Sequence, residues 1–589
     1  MSVTSLVKVP KEQIKGVECK HVCYQAANDG SANDLLLIKE VIHTKDGALI
    51  PNLRMIENFQ RPFYITKKPY QNHKDKKEHE ELEKLDCFFS TEVELAKNIQ
   101  LRLGYRFPNP KSRLSEVCKN PYVYNADIRT PTIIKHLYAK NNPNIVSRNK
   151  VAVLDTERDV TFGTNDTILC TVTCQDKVYV GIVKWYADRI PNLVDTLRKK
   201  YEEYLSSVTI KDGKDKTTGE TKYRTIDIAH DRAPNIEFIV KETPGQIIKA
   251  IVLKAHELRP DFLAIWNMNY DIPEMLKALK KDGIPPEDVF CDPCVPEKYR
   301  NVWYKEGKAQ RETNSKKISQ HPADLWHVLY CQAGFYVIDA MCLFKKIRTA
   351  KGNEPDYNLD GVLGRHLGIS KLKFKEADHL KRLKWHRFMQ DNYPAEYVIY
   401  NIFDCISIEL LDEKTNDMGL TISSLAEVSG FDIFPSIPKR LVDVLHFFYE
   451  EYGRIAGTAG SEVVTELDEN VISVSQWIIT LPAHNVYRTG LKCIEEFPEL
   501  QTMMRTQTAD ADILQAYPTG EITMNISKET TFIEVCDIVG VPESARRRAG
   551  INLTGGLTNA IEICNDIMNL PYLDDVLAEF NRDLAEGLV

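Results

Sequence analysis

Val151-Ala-Val-Leu-Asp155-Thr-Glu157 decides how this chain is read. Four apolar residues running into D-x-E predict a strand with two carboxylates at its end. Alternate strand positions share a face, so Asp155 and Glu157 point the same way. Like charges held that close repel unless a cation lies between them, and oxygen ligands suit Mg²⁺ or Mn²⁺. The triplet alone also fits a surface strand carrying two solvated acids. The segments that follow it separate the two readings.

Phe262-Leu-Ala-Ile-Trp266 predicts a second buried strand, followed by Asn267-Met-Asn-Tyr-Asp271 and an amphipathic helix from Ile272 with Pro273 in its first turn. At that junction Asp271 is either a helix N-cap or a carboxylate leaning over the sheet. Residues 395–411 predict a helix on which Tyr400 and Asp404, four apart, share a face. Val398, Ile402, Ile406 and Leu410 lie on or near another face and read as core.

At 589 residues the chain is long enough for about four domains. With 43% hydrophobic and 27% charged residues it has an ordinary globular composition, able to bury sizeable cores. No apolar run reaches the ~18 residues of a membrane span, and the N-terminus lacks a signal-peptide pattern, so a soluble, non-secreted protein is expected. Fourteen scattered cysteines do not form a disulfide framework and point to a reducing compartment. A net charge of −8 argues against a general nucleic-acid coat but leaves room for an enzyme with a local basic channel.

Residues 67–83 mix charge signs and read as a solvated helix or loop, or else as a basic nucleic-acid patch. Residues 208–226 predict a hairpin with a polar, Gly-containing tip. A mobile loop is expected from Gly453. Cys291-Asp-Pro-Cys294, with His321, His327 and Cys331, offers zinc ligand types without the spacing of a zinc finger.

D-x-E on a strand, N-x2-Y-D at a strand-to-helix junction and Y-x3-D on a helix, in that order, resemble the proofreading 3′→5′ exonucleases of the tyrosine subclass. The histidine subclass has His five residues before the last Asp, where this chain has Ile399. Further on, Asp512-Ile-Leu-Gln-Ala-Tyr517-Pro-Thr519 resembles motif A of family B DNA polymerases, departing from it at Gln515, Ala516 and Thr519. From about 150 to 530 the chain is therefore similar to family B polymerases with an exonuclease domain, such as the replicative polymerases of large tailed phages.

The resemblance implies an α/β protein: an N-terminal mixed domain (1–149), a ribonuclease H-like exonuclease domain (150–415) and a partial palm-like polymerase domain (416–589). It implies two Mg²⁺ or Mn²⁺ ions per active site. Asp155, Glu157 and Asp404 would hold the first, Asp155 also reaching the second, and Asp271 would support the second through water. Tyr400 would orient the attacking water and Asn267 would touch the strand being degraded. In the polymerase site Asp512 would hold the metals and Tyr517 would pack under the incoming sugar. The implied partners are DNA primer-template, single-stranded 3′ ends, deoxynucleotides and a sliding clamp, with no membrane, in the cytoplasm (the host's, for a phage protein).

Two later motifs depart from the family. Arg548-Ala-Gly-Ile-Asn552-Leu-Thr-Gly-Gly556 keeps a cation, the Asn and the last Gly of motif B but lacks its Ser and Tyr. Tyr572-Leu-Asp-Asp575, where motif C is sought, runs into a helix pattern that makes its acids helix N-terminal residues. No thumb follows before Val589. Three readings result: part of a split polymerase completed by a second polypeptide, an independent 3′→5′ exonuclease, or a non-catalytic scaffold. The intact set of exonuclease ligand types disfavours the last.

Overall fold

In the computed structural model the run from Val151 forms strand β1 (Val151–Arg158), the middle of a mixed six-stranded sheet. Its partners are β2 (Thr167–Cys174), β3 (Lys177–Val183), β4 (Asn235–Lys241), β5 (Phe262–Ile265) and β6 (Tyr336–Asp339). The order across the sheet is β4-β3-β2-β1-β5-β6. β2 runs antiparallel to both β1 and β3, while β3–β4, β1–β5 and β5–β6 pair in parallel. The structure describes residues 2–457 apart from 110–111, 215–219, 309, 314–315 and 350–351, all within the unit Met1–Gly460.

Helices cover both faces, so the apolar runs are buried on both sides. Val151 and Val153 enter one core, with α1 (Leu193–Leu205) and α6 (Pro394–Thr415). Ala152 and Leu154 enter the other, with α2 (Pro244–Leu258) and α3 (Met268–Lys281). α4 (Ala340–Arg348) follows β6, and α5 (Leu383–Asn392) leads into α6. Every residue of α6 from Tyr397 to Asp412 is buried, which explains why its apolar positions recur all round rather than along one stripe.

The chain after α6 stays with this core: Phe431 and Phe434 belong to it, and the Phe431 ring lies 5.0 Å from that of Phe262. Before β1 come an antiparallel sheet of Ser2–Ser5, Ile14–Ala26, Asp34–Thr44 and Leu49–Glu57, and a three-stranded sheet including Arg61–Thr66 and Leu85–Ser90. The hairpin forms as expected, from Val208–Lys214 and Thr221–Ile226. The loop expected from Gly453 instead contains strand Arg454–Ala456, because residues 79–81 of the mixed-charge segment pair with it. Among the described residues no helix is long and apolar enough to cross a membrane, and the cysteines are free.

Candidate active site

β1 places Asp155 and Glu157 on the side covered by α6, and Thr156 between them on the side of α3. The hydrogen bonds follow that alternation. Asp155 Oδ2 accepts from Asn401 Nδ2 of α6 at 2.7 Å, and Glu157 Oε2 accepts from the Tyr397 hydroxyl of the same helix. Thr156 Oγ1 donates to Asp271 Oδ1 on α3 at 2.5 Å. Asp404, one turn beyond Asn401, completes a cluster in which a carboxylate oxygen from each of Asp155, Glu157 and Asp404 lies within 4.8 Å of the other two. Asp404 Oδ1 is buried and has no hydrogen-bond partner among the described residues.

Burial raises all four acids above the usual carboxylate range. Asp155 is pushed well up by burial and then by the charges of Asp271, Asp404 and Glu157. Glu157 rises to about 7, burial outweighing the bond from Tyr397. Asp271 also rises to about 7, from burial with the bond from Thr156 opposing. Asp404 is raised by burial against the pull of Lys371. Acids packed this closely resist joint ionisation until a cation joins them. The all-oxygen donor set and the orphaned Asp404 oxygen fit Mg²⁺ or Mn²⁺.

Lys371, which sequence reading missed, meets the cluster from the loop before α5. Its Nζ lies 2.5 Å from Asp404 Oδ2 and donates to the Tyr400 hydroxyl oxygen at 3.1 Å. Burial works against its charge, but Asp404, Tyr400 and Asp155 hold its pKa well above the ordinary lysine value. With its oxygen accepting from Lys371, the Tyr400 hydroxyl keeps its proton available for donation. His386 Nδ1 lies 2.8 Å from the Tyr397 hydroxyl and 3.8 Å from Glu157 Oε2. Nothing in the local sequence marked Lys371. Tyr397 and Asn401 did carry a signal: with Tyr400 and Asp404 they make a polar stripe at three- and four-residue spacing on an otherwise apolar helix.

Asp271 is not the N-cap considered above. The helix starts earlier, at Met268, with Asn267 at the N-cap position in the left-handed region at φ 68° and making no side-chain cap bond, so Pro273 lies inside α3. The cause is tertiary: Asp339 Oδ2 accepts the Met268 N–H at 2.7 Å, while its Oδ1 accepts the Cys342 N–H at 2.9 Å. Asp339 thus caps α3 and α4 together. Tyr270 projects from the first turn of α3 into solvent, and the Arg158 guanidinium lies 3.7 Å from the centre of its ring.

Cys291, Cys294, His321, His327 and Cys331 do not assemble into one metal-binding group among the described residues. Cys291 donates to Gln332 Oε1, and His321 Nδ1 accepts from the Ala323 N–H. His327 instead approaches Asp339 and Cys342. Each of these three has a protein partner: Gly307 N–H for the imidazole, two helix N–H groups for the carboxylate and the Leu325 carbonyl for the thiol. Asp512 and Tyr517, with the segments compared to motifs B and C, lie outside the described residues.

No protein-family model matches the chain, and no curated protein matches it.

Proposed function

We propose that this protein is a two-metal 3′→5′ exonuclease of the ribonuclease H-like kind, the proofreading part of a family B DNA polymerase. The observation that carries the proposal is the meeting of Asp155, Glu157 and Asp404, nearly 250 residues apart in sequence, within 4.8 Å. Asp271 joins from the opposite face through Thr156. The mixed sheet with helices on both sides supports the fold assignment, and the polymerase half rests on the sequence resemblance around Asp512.

In this reading Asp155, Glu157 and Asp404 would hold one cation, Asp155 would also reach the other, and Asp271 would support that second cation through water. Bound Mg²⁺ or Mn²⁺ supplies water activation and stabilises the leaving oxygen of the phosphodiester. Tyr400 donates its hydroxyl proton to hold the attacking water, its oxygen fixed by Lys371. The Lys371 ammonium adds positive charge beside the phosphate. Exposed Tyr270 next to Asp271, and exposed Phe162 four residues beyond the end of β1, offer faces for the bases of a frayed single strand.

The test is degradation of a 3′-labelled single strand and of a primer-template by the purified chain, with Mg²⁺ or with EDTA. Mg²⁺-dependent release of mononucleotides from the 3′ end is expected. The Asp155→Ala/Glu157→Ala double variant should lose it by at least ~10³-fold while keeping its fold. Equal hydrolysis by that variant removes the assignment.

A further inference from the structure

Asn401 is fully buried in α6 between Tyr400 and Ile402. An amide in such surroundings is costly unless both of its ends are bonded. Here both are: Nδ2 donates to Asp155 Oδ2 at 2.7 Å, and Oδ1 accepts from Thr171 Oγ1. Thr171 is itself fully buried and is the residue of β2 directly opposite Asp155 in the β1–β2 pairing. A cross-strand pair is therefore bridged from above by one amide, closing a triangle of Thr171, Asn401 and Asp155.

The amide has one sensible orientation. Its oxygen turned toward Asp155 would set lone pairs against lone pairs, so the hydroxyl of Thr171, by donating to that oxygen, fixes the NH₂ on the carboxylate. Two residues further along β2 the same device recurs with a different outcome. Thr173 Oγ1 donates to Glu409 of α6, but Arg232 Nη2 neutralises that carboxylate at 2.8 Å. At Asp155 the partner is a neutral amide, so the carboxylate is oriented without its charge being cancelled.

We propose that Asn401, locked by Thr171, is a positioning residue that reserves Oδ2 of Asp155 and leaves Oδ1 to face the cations. The proposal rests on the two-metal reading. Groups that orient a metal ligand in this way contribute about 10–100-fold to metal affinity.

The experiment is a Mn²⁺ titration followed by electron paramagnetic resonance on the full chain, with hydrolysis measured across the same Mn²⁺ range. Asn401→Leu should bind Mn²⁺ about 10–100-fold more weakly and should recover most of its rate at saturating Mn²⁺. Thr171→Ser should match the parent, and Thr171→Val should weaken binding in the same direction. Parental Mn²⁺ affinity in Asn401→Leu, with the parent binding and hydrolysing normally, overturns the positioning role and leaves the exonuclease reading intact. A parent that binds no Mn²⁺ overturns both. If Asn401→Leu does not fold, the Thr171 pair decides: equal affinity in the Val and Ser variants overturns the proposal.

Discussion

Lys371 shows how much one side chain can set at this site. Its ammonium touches both the carboxylate that completes the cluster and the Tyr400 hydroxyl. Lys371→Met should lower hydrolysis by about 10²-fold, mostly in the single-turnover rate rather than in DNA affinity, as loss of a preorganised cation does. The acids make a second prediction. Glu157, ordinarily near 4.5, and Asp271, ordinarily near 3.8, both titrate near 7 in the metal-free fold because they are buried. The fold then binds more protons than the unfolded chain between about pH 4 and 7. The stability they lend is full below about pH 4 and is lost as pH rises through about 7. In EDTA the melting temperature should therefore fall from pH 5.5 to 8. Asp271→Asn should flatten that fall, and millimolar Mg²⁺ should offset it at the alkaline end. A flat profile in EDTA for the parent would contradict the clustering.

At the scale of elements, β1 and α6 were legible because their signals are local. Alternation along Val151–Glu157 put both carboxylates on one face, and the four-residue spacing put Tyr400 beside Asp404. What was not legible depends on contacts between distant segments. The early start of α3 comes from Asp339, some 70 residues away, and Lys371 reaches the site from a loop with no periodicity. The zinc ligand types fare likewise: Cys291, His321 and His327, close in sequence, take separate hydrogen-bond partners. Asp339 is the element-scale residue to test, since it caps two helices at once. Asp339→Ala should cost about 1–2 kcal/mol for each cap, read by urea denaturation. It should also lower hydrolysis, because α3 carries Asp271. Unchanged stability would mean that Asn267 alone sets the start of α3.

Across the whole described unit, the site lies at the C-terminal end of β1 while the N-terminal sheet is fastened at the other end. One fastening is Lys39, buried on the strand Asp34–Thr44. Its Nζ donates to the Arg259 carbonyl at 2.8 Å and the Pro260 carbonyl at 3.3 Å, and lies 3.8 Å from Asp261. Arg259 ends α2 in the left-handed conformation, so the ammonium also meets the negative end of that helix. Burial lowers its pKa to about 8, leaving it mostly charged at neutral pH and dependent on these partners. Lys39→Met keeps the stem but strands two carbonyls and the Asp261 carboxylate, which among the described residues retains the Lys150 N–H at 2.8 Å. Breaking a buried pair in this way costs about 3–5 kcal/mol. Urea denaturation should show a loss of that order, and the double variant Lys39→Met/Asp261→Leu should recover part of it. Because the pin and the carboxylate cluster sit at opposite ends of β1, hydrolysis of a short single strand should stay near the parental rate below the melting transition. A large loss of hydrolysis with stability intact would mean that the N-terminal sheet contributes to hydrolysis directly and not only through stability.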